Sequence, residues 1–284
     1  MNILITGAGG KTGKSIIRLL SGKDHNLSVY LHRQETINEI RKLADVKAFV
    51  GDLSDNDRIK QSLVGIDAVY LIIPNMNPNE SLIGENLVKL CKQMGVSRII
   101  YHSVLHPQAL AMPHHRQKLL VEEKLFESGL DYSILQPTAY MQNILGYRNS
   151  IQAGSYPMPY PVATLLSLVD INDVAEVATN IITQTGHSFA SYELVGSPPL
   201  SQTEIAEALT RHTNRKVIPE EILLSDWLNS DPVKVMTNYS RTTLHAMFTY
   251  YANYGLVGNT SILSYLLNRN PSSLEEFLKR DYII

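Results

Sequence analysis

The feature that most constrains this chain is a glycine-rich turn close to its first residue. The apolar run at residues 3–5 predicts a short buried strand, and Gly7, Gly10 and Gly13 follow it with the spacing G-x-x-G-x-x-G. In such a turn the first glycine permits the tight bend, the second lets backbone approach a diphosphate, and the third lets the helix pack on the strand. A triplet placed between a strand and a helix indicates a dinucleotide-binding βα unit.

Strands and amphipathic helices alternate over the first 195 residues. Apolar segments predict strands at residues 3–5, 27–32, 46–50, 68–73, 98–101, 132–135 and 192–195. Helical periodicity or helix signals occur at residues 15–20, 37–43, 57–63, 82–94, 118–128 and 170–183. This alternation produces right-handed βαβ units and a parallel sheet with helices on both faces. We therefore predict an α/β fold, a Rossmann doubly wound parallel sheet.

The pattern changes after Asn143. Glycine and prolines in residues 152–162 predict a loop or hairpin, and the chain from about residue 196 is mostly helical. Capping-box patterns at residues 201–204 and 272–275 predict two helix starts. We assign residues 1–143 with 164–195 to a nucleotide-binding domain. Residues 144–163 with 196–284 are assigned to a smaller, mostly helical substrate or cap domain.

Composition excludes several classes of function. The net charge of −2 and the lack of a basic run give no reason to expect nucleic acid or a membrane surface as a partner. Cys91 is the only cysteine, so no intramolecular disulfide and no cysteine-rich metal site can form, and we expect no bound metal. We interpret Cys91 as a small apolar side chain packed in its helix. A basic leader and a membrane-spanning apolar run are both missing, which predicts a cytoplasmic protein.

The end of the second strand bears on cofactor choice. An acidic residue usually holds the ribose there when the cofactor lacks a 2′-phosphate. Residues 30–33 contain no carboxylate, and Arg33 could pair with a 2′-phosphate in bidentate fashion. Lys11, inside the glycine turn, could add a second charge. We therefore expect NADP(H) to be favoured over NAD(H), while solvated surface roles for both residues remain the alternative.

Asp52 and Leu53 follow the third predicted strand. Asp52 could accept a hydrogen bond from the adenine amine, with Leu53 packing on the ring. The alternative for Asp52 is a cap for the helix that follows, and the two roles are compatible.

Beyond these features, the sequence resembles the NmrA-like group of atypical short-chain dehydrogenases. The resemblance covers nearly the whole chain and is weakest beyond about residue 215. It is carried by the glycine turn and by residues 51–53, 65–71, 129–137, 140–143, 169–175, 192–196 and 200–206. The group includes NADPH-dependent quinone reductases, reductases of plant phenolics, and NADP-binding redox sensors or transcriptional co-regulators.

The resemblance also indicates where catalytic residues would lie. Typical short-chain dehydrogenases pair Tyr-x-x-x-Lys with a serine after the fifth strand, and here Ser103 and Lys118 occupy the serine and lysine positions. The tyrosine position holds His114, which puts classical carbonyl reduction in doubt. His114 could still move a proton, because an ordinary histidine titrates near neutrality. Lys118 is expected to contact the nicotinamide ribose or the substrate pocket.

The remaining site residues follow from their positions at strand ends. We assign Thr12, Pro74 and Pro137 to cofactor binding, and Asn75, Tyr140 and Asn143 to the substrate pocket. Aromatic side chains of the cap either form its core or close this pocket. The residues concerned are Tyr156, Tyr160, Trp227, Tyr250 and Tyr251.

Two functions from different classes fit these patterns. The first is an NAD(P)H-dependent oxidoreductase that reduces a small-molecule acceptor, such as a quinone or another conjugated compound, by hydride transfer. The second is a non-catalytic NADP(H)-binding sensor that acts through a protein partner. The missing tyrosine favours the sensor, and it also weakens a third alternative, a sugar-nucleotide epimerase.

Overall fold

The computed structural model describes residues 1–283 and consists of short strands alternating with helices. The strands are β1 Asn2–Ile5, β2 Asn26–Leu31, β3 Lys47–Val50, β4 Ala68–Leu71, β5 Arg98–His102, β6 Asp131–Pro137, β7 Ala139–Tyr140, β8 Ser155–Met158, β9 Leu168–Val169, β10 Ala190–Leu194 and β11 Ile218–Glu221. The α-helices are α1 Lys11–Leu20, α2 Ile37–Arg41, α3 Asn56–Leu63, α4 Glu80–Gln93, α5 Pro113–Ser128, α6 Arg148–Gln152, α7 Ile171–Thr183, α8 Gln202–Thr213, α9 Leu224–Leu228, α10 Asp231–Lys234, α11 Asn238–Tyr254, α12 Ser261–Leu267 and α13 Leu274–Asp281. Two 3₁₀ segments, Gln34–Thr36 and Met141–Tyr147, complete the helical elements of these residues.

The central sheet of residues 1–283 has seven strands in the order β10-β6-β5-β4-β1-β2-β3. Every pairing from β3 across to β6 is parallel. The order runs outward from β1 in both directions, so the sheet has a topological switch point between β1 and β4. Ligands of such sheets bind outside the carboxyl ends of the strands at this point. The predicted Rossmann-type α/β fold is therefore confirmed.

Apolar side chains cover both faces of the strands and explain the stability of this sheet. Residues of β1, β4 and β5 are almost completely buried, as expected for parallel strands packed between helix layers. Cys91 of α4 is buried in this core, where burial raises the pKa of its thiol to about 12. Its predicted role as a small apolar side chain is confirmed.

The chain divides into two compact units. The first contains residues 1–108, 114–136 and 174–192, and the second contains residues 109–113, 137–173 and 193–284. These limits place residues 109–113, 137–143, 164–173 and 193–195 in the second unit, although the predicted limits put them in the nucleotide-binding domain. The two short strands β7 and β9 pair with each other within residues 137–173, which explains why this stretch belongs together.

The second unit corrects two expectations. Residues 155–158 form the strand β8, which pairs in parallel with β11 some sixty residues later, so the segment is not a hairpin. The last capping box is formed by Ser273 and Glu276, one residue later than predicted. Ser272 instead donates its backbone N–H and its hydroxyl to the buried carboxylate of Asp173. The capping box of Ser201 and Glu204 is confirmed.

Two further observations concern residues 1–283 as a whole. None of their helices has the length and apolar character needed to cross a membrane. Nor do these residues bring together three or more histidine, cysteine or acidic side chains in a group able to hold a metal ion.

Candidate functional site

The glycine turn links β1 to α1 at the carboxyl edge of the sheet. Gly7 has a φ of +59°, and a Cβ at this position would lie 2.8 Å from the Cβ of Ile72. The turn is fixed beside β4 because the Thr6 hydroxyl donates to Ile72 O and accepts from Ile72 N, both at 2.8 Å. Only glycine satisfies both the backbone conformation and the close approach at position 7.

Close packing extends to the first turn of α1. A Cβ at Gly13 would lie 2.7 Å from both Ala8 Cα and Gly7 O, so the helix packs on the turn only without a side chain there. Gly10 is the N-cap residue and is exposed. The first N–H groups of a helix lack intrahelical acceptors, and their dipole favours an anion. The turn therefore fits a diphosphate resting on bare backbone, with Thr12 in the first helical turn.

Two cationic side chains of the first unit were predicted to bind phosphate. Lys11 begins α1 and Arg33 follows β2, and both are exposed to solvent. The neighbouring Lys14 is already paired with Glu39, its Nζ lying 2.6 Å from Oε2. Lys11 and Arg33, by contrast, make no ion pair among residues 1–283.

Asp52 and Leu53 lie in the loop after β3. Asp52 Oδ1 accepts from the backbone N–H of Ser54 at 2.8 Å and from its hydroxyl at 2.6 Å. These two bonds lower the pKa of the Asp52 carboxyl. The N-cap of α3 is Asp55, so the expectation that Asp52 caps this helix is wrong. Leu53 is half-buried and packs against the core of the first unit.

Lys118 lies in a buried polar cluster of the first unit, formed by Glu80, Tyr101, His102, Ser103, Lys118 and Glu122. The Lys118 ammonium donates to Glu80 Oε1 at 2.7 Å and to the backbone carbonyl of His102 at 3.3 Å. Tyr101 donates its hydroxyl to the same Glu80 oxygen at 2.9 Å. The side chain of Glu80 is fully buried and that of Lys118 is 7% exposed. The lysine charge is therefore compensated inside the protein.

Ser103 belongs to the same buried cluster through a second carboxylate. Its hydroxyl donates to Glu122 Oε1, and Gln136 Nε2 donates to both Glu122 oxygens at 3.0 and 3.1 Å. Burial raises the pKa of Glu122, although the bonds from Ser103 and Gln136 oppose this shift. The structure thus brings Ser103 and Lys118 together, one turn of α5 separating Lys118 from Glu122.

His114 lies near the start of α5 and is also buried. Burial, the neighbouring His115 and the charge of Lys118 lower the pKa of His114 to about 3. The expectation of a histidine that titrates near neutrality is therefore wrong, because the environment disfavours the imidazolium. His115 forms an edge-to-face contact with His114 at 4.5 Å between ring centroids, and its Nδ1 lies 2.9 Å from His106 O.

The other predicted site residues are divided between the two units. Pro74 and Asn75 follow β4 in the first unit and are exposed. Pro137, Tyr140 and Asn143 belong to the second unit, where Pro137 is buried, Tyr140 is half-buried and Asn143 is exposed.

Sequence reasoning missed the two carboxylates of the buried polar cluster. Glu122 lies four residues after Lys118 on one helix, and this spacing is a signal that could have revealed it. Glu80 is 38 residues from Lys118, and nothing local in the sequence connects them. Thr6, whose hydroxyl holds the glycine turn against β4, was also missed.

The strand order and the glycine turn together define a Rossmann-type α/β protein. Residues 1–278 match the NmrA-like family, and the chain belongs to that family. The resemblance inferred from the sequence motifs is thereby confirmed.

Three similar proteins illustrate the range of this family. NAD(P)H azoreductase of Xenophilus azovorans is 28% identical over 218 residues, covering 76% of this chain and 75% of the relative. The NADPH complex of the quinone oxidoreductase QOR2 of Escherichia coli superposes with a TM-score of 0.86 at 20% identity, covering 99% and 100% of the two chains. The negative transcriptional regulator NmrA, solved with NADP, gives 0.82 at 18% identity, covering 99% and 95%.

Proposed function

We propose that this protein is an NAD(P)H-dependent reductase that transfers a hydride to a small conjugated acceptor such as a quinone. The observation that carries the proposal is the glycine turn, whose backbone is bare where a diphosphate would rest. Similarity to an azoreductase and to a quinone oxidoreductase supports the class of reaction.

The chain's own residues divide the work of binding. Gly7, Gly10 and Gly13 shape the turn, and the N–H groups of the first turn of α1 would hold the diphosphate. Lys11 and Arg33 would bind a 2′-phosphate, which makes NADP(H) the preferred cofactor. Bound NADPH would supply the hydride.

The buried polar cluster would serve the reaction by positioning rather than by donating protons. Glu80 holds the Lys118 ammonium next to the end of β5, and Glu122 holds Ser103. A quinone needs little acid chemistry from the protein, since the cofactor carries the hydride transfer. The low pKa of His114, which follows from its burial, is compatible with such a reaction.

Cofactor titration tests the site directly. NADPH fluorescence should report saturable binding to the wild type, whereas Gly10→Val should abolish it by placing a branched side chain where the diphosphate would rest. Gly146→Val is the matched control, because Gly146 is exposed and a Cβ there contacts no described atom within 4 Å. Equal NADPH affinity in wild type and Gly10→Val would refute the assigned site.

Steady-state turnover tests the reaction. NADPH oxidation against quinones and aldehydes should show activity with quinones. His114→Ala should leave turnover almost unchanged, while Lys118→Ala should weaken cofactor or substrate binding. A loss of about 100-fold in His114→Ala would instead indicate general acid catalysis. Circular dichroism of each variant separates loss of fold from loss of activity.

A second candidate is an NADP(H)-binding sensor that acts through a protein partner. The observation in its favour is the combination of a histidine at the tyrosine position and a low pKa of that histidine caused by burial. The similarity of the chain to a negative transcriptional regulator adds support for the sensor. NADPH binding without reduction of any acceptor at saturating cofactor would favour the sensor over the reductase.

A further inference from the structure

Six aromatic side chains of the second unit form one connected group, which we call the aromatic cluster. Its members come from four separated parts of the chain. These are the 3₁₀ segment Met141–Tyr147, the strand β8 with the turn that follows it, the helix α9 and the helix α11. They are Tyr147, Tyr156, Tyr160, Trp227, Phe248 and Tyr251.

The rings meet mostly edge to face. Phe248 is central: its ring centroid lies 4.6 Å from that of Trp227, 5.9 Å from that of Tyr160 and 6.2 Å from that of Tyr251. Tyr250, by contrast, pairs with Tyr254 along α11 at 5.0 Å. Tyr250 was predicted to belong with the other aromatic residues of the cap, and these contacts separate it from them.

The hydroxyls of the cluster distinguish it from an ordinary aromatic core. Tyr156, Tyr160 and Tyr251 are 4%, 3% and 7% exposed, and among residues 1–283 their hydroxyls have no protein hydrogen-bond partner. The rings of Tyr160 and Tyr251 lie 6.3 Å apart between centroids, and those of Tyr147 and Tyr156 lie 5.6 Å apart, so the four phenols belong to the same aromatic cluster. Tyr147 alone has a protein partner, the indole Nε1 of Trp227 at 3.2 Å.

A tyrosine hydroxyl in mostly apolar surroundings usually finds a hydrogen-bond partner. None of these three hydroxyl oxygens is fully enclosed, so each borders space from which a ligand could accept its hydrogen bond. We propose that Tyr156, Tyr160 and Tyr251 donate hydrogen bonds to the oxygen atoms of a planar conjugated acceptor bound at the aromatic cluster. The inference rests on the proposed function and names the residues that recognise its substrate.

The chemistry of the cluster selects this class of ligand. The six side chains carry no charge, so they provide no counterion for a phosphate or a carboxylate. Burial raises the pKa of Tyr156 and Tyr251, so both phenols remain protonated donors at neutral pH. Aromatic walls with several donors match a flat ring that bears carbonyl oxygens, because the ring packs on the aromatic side chains and each oxygen accepts a hydrogen bond.

The cluster contains its own spectroscopic probe, since Trp227 is the only tryptophan of the chain. We would titrate 2-methyl-1,4-naphthoquinone into the full-length protein and follow quenching of tryptophan fluorescence. Wild type is compared with Tyr156→Phe, Tyr160→Phe and Tyr251→Phe, which keep the ring and remove the donor. Tyr265→Phe is the control, because Tyr265 is 84% exposed.

We expect saturable quenching in wild type and the control, with binding about 3- to 10-fold weaker in at least one buried variant, the scale of one neutral hydrogen bond. NADPH affinity should stay unchanged in all four variants. Thermal stability of the three tyrosine-to-phenylalanine variants should change little, because the hydroxyls that are removed make no hydrogen bond within the protein. A purely structural role would alter stability without altering quinone affinity.

Two outcomes separate this inference from the proposed function. If wild type oxidises NADPH with the quinone but all three buried variants bind the quinone as wild type does, the inference is overturned and the reductase stands. If quinone binding depends on these hydroxyls while no acceptor is reduced, the binding site stands and the reductase fails. An absence of saturable quenching in wild type overturns the inference.

Discussion

The glycine turn and the buried polar cluster belong to the same unit and the same edge of the sheet, but they are built in opposite ways. The turn is open: Gly10 is exposed, and the cations beside it, Lys11 and Arg33, reach solvent. The cluster is closed, with the Lys118 side chain only 7% exposed and its charge matched by Glu80. The charges beside the turn are solvated, whereas the charges of the cluster are buried and paired with each other.

This difference shows that the expected pairing of positions 114 and 118 is not the arrangement of a typical short-chain dehydrogenase. There the lysine lowers the pKa of a tyrosine that faces the substrate. Here Tyr101 donates to Glu80 beside the ammonium, and burial together with the Glu80 charge raises the pKa of Tyr101 well above its usual range. The lysine charge is therefore used to hold a buried carboxylate.

The largest effect should come from breaking the buried ion pair. Lys118→Met leaves the Glu80 carboxylate uncompensated and should lower the free energy of unfolding by about 3–5 kcal/mol, as for other buried pairs that lose one partner. Urea denaturation measures the change. The control is Lys89→Met, which breaks the exposed pair with Glu85 and should cost less than about 1 kcal/mol.

A second substitution sharpens this test. Adding Glu80→Gln to Lys118→Met removes the buried charge and should recover part of the lost stability. If Lys118→Met costs no more than Lys89→Met, the cluster is open to water and its contrast with the glycine turn disappears.

Acid should lower the free energy of unfolding of the protein through the buried His114. Its pKa is about 3 in the folded protein, against 6.5 for an ordinary histidine. The unfolded chain therefore takes up the proton first as pH falls, and stability is lost progressively below about pH 6.5. Between pH 7 and 4.5 this single group should cost about 2–3 kcal/mol, which His114→Gln should abolish.

Urea denaturation at both pH values gives this difference, with His245→Gln as the control because His245 is exposed. The free energy of unfolding of wild type, relative to that of His114→Gln, should fall by about 2–3 kcal/mol from pH 7 to pH 4.5. An equal pH dependence in the two proteins would show that His114 is accessible to solvent.

The two regions also differ in how far the sequence could predict them. The glycine turn is predictable because it depends on residues within a few positions of each other. Gly7 provides the positive φ, and Gly13 allows the close contact of α1 with the turn. The parallel sheet with helices on both faces follows equally from the alternation of strands and helices, whereas the order of its strands is a property of the fold. Lys118 could be located by position, but its partner Glu80 lies 38 residues away, and its burial depends on the packing of α4 against the sheet.

The incorrect predictions also concern properties that depend on distant residues. A histidine has an ordinary pKa until its surroundings are known, and the burial of His114 is a tertiary property. The capping box at Ser273 was misplaced by one residue because Ser272 offers the same local pattern. Asp173, a distant residue, decides between the two serines by accepting from Ser272.

A smaller change should test the packing of the turn. Gly13→Ala places a Cβ 2.7 Å from backbone atoms of Ala8 and Gly7, which cannot move aside as a flexible side chain would. We expect a loss of about 2 kcal/mol in the free energy of unfolding, typical of overpacking. Gly146→Ala, where nothing lies within 4 Å, should be close to neutral. A Gly13→Ala protein as stable as Gly146→Ala would contradict the close approach of α1 to the turn.

The smallest effect concerns the choice between NADPH and NADH beside the glycine turn. Arg33 is exposed, so the free energy of its contact with a 2′-phosphate should lie near the lower end for charged hydrogen bonds, about 1.5 kcal/mol. Wild type should bind NADPH more tightly than NADH, and Arg33→Ala should reduce that preference about tenfold while leaving NADH affinity unchanged. Arg41→Ala, which removes an exposed charge on α2, is the matched control. Raising the salt concentration should narrow the NADPH preference of wild type more than that of Arg33→Ala, which keeps only the Lys11 charge beside the phosphate, because screening weakens contacts between exposed charges. A wild type that prefers NADH would remove the phosphate role from Arg33, and the exposed charges beside the turn would then be ordinary surface residues.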